Sequence, residues 1–196
     1  MRSAEIKRTT AETSIELRLN LDGTGAGRIA TGVGFMDHML TLFARHARMD
    51  LNVVCKGDTM VDDHHSVEDI GICLGAVIAQ AVGDKRGIRR YGSMLLPMDE
   101  ALVLCALDLS GRSCLRYTAQ IPSQKIGTFD TELVEEFFLG LTRAAGMTLH
   151  IRMMDGTNSH HIVEAMFKAL GRALREAVSI DASLGGEIPS TKGVLV

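Results

Sequence analysis

Tryptophan is absent from the 196-residue chain, and aromatic residues make up only 4% of it. The interior must therefore be aliphatic and methionine-rich, and little material exists for platforms that stack bases or sugars. An excess of one charge is also lacking. The formal net charge is -3, which argues against a dedicated binder of nucleic acid or of an anionic membrane. No apolar run approaches the ~20 residues needed to span a bilayer. The stretch from Met1 to Arg8 lacks the apolar segment of a secretory signal. Cys55, Cys73, Cys105 and Cys114 form no C-x-x-C pair and sit mostly in apolar surroundings, a usage expected of reduced thiols in a cytoplasmic protein. What is present, 46% hydrophobic and 23% charged residues, is globular composition of single-domain length.

The chain also contains itself twice. His64-His65-Ser66-Val67-Glu68 returns as His160-His161-Ile162-Val163-Glu164, 96 positions later. Met49, Leu51 and Val53 match Met147, Leu149 and Ile151 at an offset of 98, which also sets Asp37-His38 on Glu135-Glu136 and Leu42-Phe43 on Gly140-Leu141. Upstream, Glu12 falls on Glu100 at an offset of 88. Each half then predicts three strands, a helix, a strand and a helix. In the first half these are strands over 5–10, 14–21 and 27–33, a helix over 36–46, a strand over 49–56 and a helix over 64–82. In the second they are strands over 93–98, 101–109 and 113–121, a helix over 130–145, a strand over 147–153 and a helix over 160–178. The alternation from Ser14 to Leu21 is the clearest strand signal. Asp63 and Ser159 stand where helix N-caps belong. The pattern implies an α+β, internally duplicated, two-lobed domain, with repeats over about 1–90 and 91–184 and a tail over 185–196. The polar connector from Gly83 to Tyr91 is expected on the surface.

Adjacent helical residues point about 100° apart, so His64 and His65 cannot easily share one ion. His64 and Glu68 are one turn apart and can; His65 must serve another place. The same holds for His160, Glu164 and His161. Imidazole with carboxylate and no thiolate suits Mn²⁺, Fe²⁺ or Zn²⁺. His38 and its repeat counterpart Glu136 are further ligand candidates. His46 and His150 do not obey the duplication and read as structural. The glycine-rich stretch from Gly23 to Arg28 lacks the ending of a phosphate loop and reads as a strand-to-strand turn. Basic residues cluster better for an anion at Arg89-Arg90, Arg112 and Ser190-Thr191-Lys192.

Five segments carry a family resemblance: Arg8 to Thr13, Gly32 to Leu40, Asp62 to Asp69, Asn158 to Lys168, and Pro189 to Gly193. Together they resemble imidazoleglycerol-phosphate dehydratases of histidine biosynthesis over nearly the whole chain. The resemblance implies four helices sandwiched between two four-stranded sheets, a fold like that of ribosomal protein S5 domain 2. It implies a cytoplasmic homo-oligomer of 24 subunits built from trimers, with two Mn²⁺ per subunit shared between subunits. One ion would take His38, His64, Glu68 and His160; the other would take His65, His161, Glu164 and Glu136. The resemblance places histidine in many relatives where this chain has Glu136, and His150 is the substitute if Glu136 does not ligate. The substrate implied is a small phosphorylated imidazole, whose ring the metals hold as imidazolate while water is lost. Glu12 is the implied proton-transfer group, with Glu100 a second candidate. Arg90, Arg112, Ser190, Thr191 and Lys192 would bind substrate, with the phosphate gripped by the two arginines, Ser190 and Lys192. The same ligand types could also serve a dinuclear hydrolase or a metal-stapled structural shell.

Overall fold

The computed structural model describes residues 2–195. The first half runs β1 (Ser3–Thr9), β2 (Thr13–Asn20), β3 (Ile29–Ala30), α1 (Gly34–Ala47), β4 (Asp50–Gly57) and α2 (His64–Val82). The second half starts with β5 (Tyr91–Met98), β6 (Ala101–Asp108) and β7 (Cys114–Thr118). A hairpin follows, of β8 (Lys125–Ile126) and β9 (Phe129–Asp130). The half ends with α3 (Leu133–Ala145), β10 (Thr148–Asp155) and α4 (Ser159–Val178). The sheet orders are β1-β2-β4-β3 and β5-β6-β10-β7. In each, only the last pair is parallel.

The expected four helices between two four-stranded sheets are therefore present. In β2, Ile15, Leu17 and Leu19 point inward, while Glu16 and Arg18 face out, as a one-sided antiparallel sheet requires. α2 lies on β1 and β2, and α4 lies on β5 and β6. The helices then pair across the halves: α1 packs on α4, and α2 on α3. Glycines make both crossings close. An added Cβ at Gly75 would sit 2.4 Å from the Leu141 carbonyl oxygen, and one at Gly171 2.7 Å from that of Phe43. These two contacts map onto each other under the repeat. α2 has the length and apolar character of a membrane-crossing helix, but most of it is buried in this core.

Several local expectations are corrected. Asp130 does not start α3, because it closes the hairpin, where its carboxylate pairs with Lys125 Nζ at 2.8 Å. The cap of α4 is Asn158, whose side chain accepts from the N–H groups of His160 and His161; Ser159 Oγ instead accepts from the Ser123 N–H. Asp63 holds the cap position of α2 without a capping bond, and Asp62 Oδ1 accepts from the His64 N–H at 2.8 Å. The connector is not simply surface. Gly87 and Ile88 are buried, and Ile88 bridges to Ile180 of the C-terminal segment. The stretch from Gly23 to Gly27 is a turn that wraps Asp50, whose Oδ1 accepts from the N–H groups of Thr24 and Ala26.

Candidate metal centre and substrate cleft

The pairing of α1 with α4 brings the first half's lone histidine to the second half's motif. His38 Nε2 lies 3.3 Å from Glu164 Oε2, and His160 Nε2 lies 3.1 Å from the same oxygen. The three ligand atoms all fall within 4.8 Å of one another, which suits a single ion. Asp37 helps set this approach: its Oδ1 accepts from the Thr31 N–H and hydroxyl, pinning the turn that enters α1. Phe35 walls the cluster, its ring 5.3 Å from that of His160. Burial pushes the Glu164 carboxyl up, but Lys168, 2.5 Å away, together with His160 and His38, holds it below the usual carboxylate range. Glu164 is thus a buried carboxylate kept ionised, as a ligand must be.

Within one chain the grouping differs from the two ligand sets that the resemblance implies for ions shared between subunits. In the single chain Glu164 lies beside His38 and His160, while no such cluster gathers His161 and Glu136 among the described residues. His64 and Glu68 stand apart, 3.7 Å from each other on α2. Their neighbour is α3, which carries Glu136 one turn before Gly140, the residue that packs on the Glu68 carbonyl. Under the repeat, His64, Glu68 and Glu136 correspond to His160, Glu164 and His38. Among the described residues only the second set closes into a three-ligand cluster. His150 lies on the solvent-facing side of β10, beside Arg116 and Arg152.

The second histidine of each pair turns away from these groups. His65 Nδ1 lies 3.0 Å from Asp58 Oδ2, with Glu12 Oε1 3.6 Å from its Nε2. His161 Nδ1 lies 2.7 Å from Glu100 Oε2. The Asp58 and Glu100 carboxylates raise the pKa values of His65 and His161 above the ordinary imidazole value. Glu100, bonded to His161 and to the backbone N–H of Asn158, is held down at about 2. Asp58 was not singled out by the sequence, because it has no repeat counterpart and sits in an unremarkable loop. Lys168 carried no signal beyond its place in a family segment.

Arg90, Arg112, Ser190, Thr191 and Lys192 line one cleft of about 650 Å³, so the structure brings all five together. Arg90 is already engaged there. Its guanidinium donates to Asp108 at 2.7 and 3.1 Å and to the Pro189 carbonyl at 2.8 Å, tying the C-terminal segment to the body. The cleft shares no lining residue with the His38 cluster.

The family model described as "Imidazoleglycerol-phosphate dehydratase" matches residues 31–174. The chain is 60% identical over 195 residues to the imidazoleglycerol-phosphate dehydratase of Jannaschia sp., covering 100% of both chains. It is 60% identical to that of Desulforamulus reducens, covering 99% of this chain and 98% of the other. Among solved structures, the Staphylococcus aureus enzyme superposes with a TM-score of 0.84 at 42% identity, covering 91% of this chain and 99% of that one. The Pyrococcus furiosus enzyme, in complex with (S)-C348, gives 0.85 at 38% identity, covering 97% and 100%. The chain therefore belongs to the imidazoleglycerol-phosphate dehydratase family, the lyases that dehydrate imidazoleglycerol phosphate in histidine biosynthesis.

Proposed function

We propose that the chain carries out this dehydration at divalent-ion sites, two per subunit and filled by Mn²⁺, that are completed between copies of the chain. The product is imidazole acetol phosphate. The observation that carries the reading is the division of the site. Within one chain the ligand cluster and the cleft lie apart, and His38, His160 and Glu164 supply three ligands where a closed site needs more. A neighbouring copy can supply the rest through His65 or His161, whose Nε2 atoms lie outside the clusters of their own chain. The repeat points to a second set of His64, Glu68 and Glu136. Bound there, the ions would stabilise negative charge on the imidazole ring and fix its position.

The remaining work falls to this chain's own side chains. The hydroxyl on the ring-bearing carbon leaves as water, and the proton comes off the next side-chain carbon. The enol left behind becomes the ketone by taking a proton at the ring-bearing carbon. The proton that is removed is not acidic, so a positioned base is required. Glu12 is exposed, is not needed as a ligand and lies beside His65. It takes that proton. Arg112, Ser190, Thr191 and Lys192 receive the phosphate end, where guanidinium and ammonium donors suit its oxygens. Arg90 shares in this cleft while anchoring its C-terminal wall. We assign the catalytic unit to two repeats over 1–90 and 91–184 with the tail over 185–196, working in the cytoplasm as a 24-mer built from trimers.

The test is dehydratase activity after chelation, then after adding back Mn²⁺ and Zn²⁺ separately, with the assembly mass recorded each time. Activity and mass returning together with Mn²⁺ are expected. Reassembly under any metal without turnover would mean that the ions only staple a shell.

A further inference from the structure

Glu12 and Glu100 occupy matching places in the two halves, each beside the second histidine of its motif. They meet different nitrogens. Glu100 Oε2 lies 2.7 Å from His161 Nδ1, while its Oε1 accepts from the N–H groups of Asn158 at 2.7 Å and Thr157 at 3.2 Å. Glu12 instead lies 3.6 Å from the Nε2 of His65. The Nδ1 of His65 is taken by Asp58, whose two oxygens lie 3.0 and 3.2 Å from it. Asp58 is held there from below: its own N–H donates to the Glu12 carbonyl at 3.1 Å. Each second histidine therefore has a carboxylate on Nδ1 and a more distant one near Nε2, Glu12 for His65 and Asp99 Oδ2 at 3.7 Å for His161, but the first half uses an additional residue to provide the one on Nδ1.

We propose that Glu100 and Asp58 are positioning residues: they lock His161 and His65 in the tautomer protonated on Nδ1, and Asp58 thereby leaves Glu12 free for the substrate. An ionised carboxylate can only accept, so the nitrogen facing it must carry the proton. The lone pair is then left on Nε2, the atom that must reach an ion, as with other histidines oriented from behind. The two halves have thus diverged in function at equivalent positions. Glu100 is bound on both oxygens by the protein, whereas Glu12 is not. This inference rests on the metal reading given above.

The two positioning carboxylates differ in how they tolerate an isosteric amide. At Glu100, both backbone N–H groups demand an oxygen on one side. The amide introduced by E100Q must then turn its NH₂ toward His161 Nδ1, which forces the proton onto Nε2. At Asp58, both oxygens face the same nitrogen, so D58N can turn its single oxygen to it and keep the tautomer. The experiment uses the full-length protein with ¹⁵N-labelled histidine. Solid-state NMR at pH 8.5 on the metal-free form reads the tautomers, with His161 assigned by comparison with H161N. Calorimetric Mn²⁺ titration follows on the same samples. Parent and D58N should show Nδ1–H. E100Q should switch His161 to Nε2–H and lose affinity about 10- to 100-fold at one class of sites, the range typical of partners behind a metal-binding histidine. Its Tm should stay close to the parent's, since the oxygen to the backbone is kept. An E100Q protein that keeps the Nδ1 proton, or that switches tautomer with parental Mn²⁺ affinity, overturns the inference. The tautomer is read without metal, so a parent that takes up no Mn²⁺ counts against the proposed function instead.

Discussion

The substitution Gly75→Ala tests whether the closeness of the helix pairs holds the two halves together. A Cβ at this position lies 2.4 Å from the Leu141 carbonyl oxygen and 2.9 Å from both Ala144 Cβ and the Ala145 nitrogen. Real Cβ contacts essentially never fall below 3.0 Å, so α2 and α3 must part by about 0.6 Å, the difference between 3.0 and 2.4. None of the three obstacles is the end of a flexible side chain. Overpacking costs about 1–3 kcal/mol, and three rigid contacts place this case at the upper end. Alanine's better helix propensity returns about 1 kcal/mol. The net loss is about 2 kcal/mol. In a chain of this size each kcal/mol moves Tm by about 2–4 °C, so a fall of about 4–8 °C is expected. Scanning calorimetry at fixed protein and Mn²⁺ concentrations measures it, because binding and assembly shift Tm by mass action. Gly171→Ala meets the Phe43 oxygen at 2.7 Å and the Ala47 nitrogen at 3.0 Å, so it should cost less stability. It also pushes α4 off α1, and Mn²⁺ affinity at the His38 cluster should fall with it. Gly34→Ala, with nothing within 4 Å, is the control and should be near neutral. A Gly75→Ala protein as stable as the parent would refute the argument.

Three further outcomes are expected. Glu12→Gln should lower kcat by about 10²–10⁴ with KM and Mn²⁺ content close to parental, the loss typical of a general acid–base group; retained turnover would remove Glu12 from the chemistry. Lys192→Ala should raise KM more than it lowers kcat, since the ammonium serves binding at the far end of the substrate, and steady-state kinetics with unchanged KM would exclude it from the cleft's function. Asp50 is held below its ordinary value of 3.8 by the backbone N–H groups of Thr24 and Ala26. Its contribution is therefore fully present above the unfolded-state value and is lost as pH falls through the lower folded value. The gap in urea midpoint between the parent and Asp50→Ala should be constant above about pH 5 and shrink in acid. A gap that widens in acid contradicts the assignment.

Much of this fold is written in local pattern. The alternation in β2 and the helical spacing after each histidine pair depend on neighbours a few residues away, and those periods survive in the sequence. The repeat could be read for the same reason, and with it the candidate ligands, Glu12 and the basic residues that gather in the cleft. The caps were less legible. Asn158 and Ser159 are both good capping residues, and it is the distant Ser123 N–H that claims the Ser159 hydroxyl.

Which of the candidate ligands meet within the chain was decided elsewhere. Which helix faces which is settled where backbones can approach, and Gly171 on Phe43 and Gly75 on Leu141 let each helix pair with one from the other half. That crossing takes His38 to His160 and Glu164, although His64 and Glu68 are nearer in sequence. The different duties of Glu12 and Glu100 arise in the same way. Their places in the repeat are equivalent, but Asp58 reaches His65 only once the loop after β4 has folded over the Glu12 carbonyl. By itself the sequence determined which chemical groups are available and on which elements they ride. The tertiary structure alone decided which of them meet, because that depends on close packing between segments nearly a hundred residues apart.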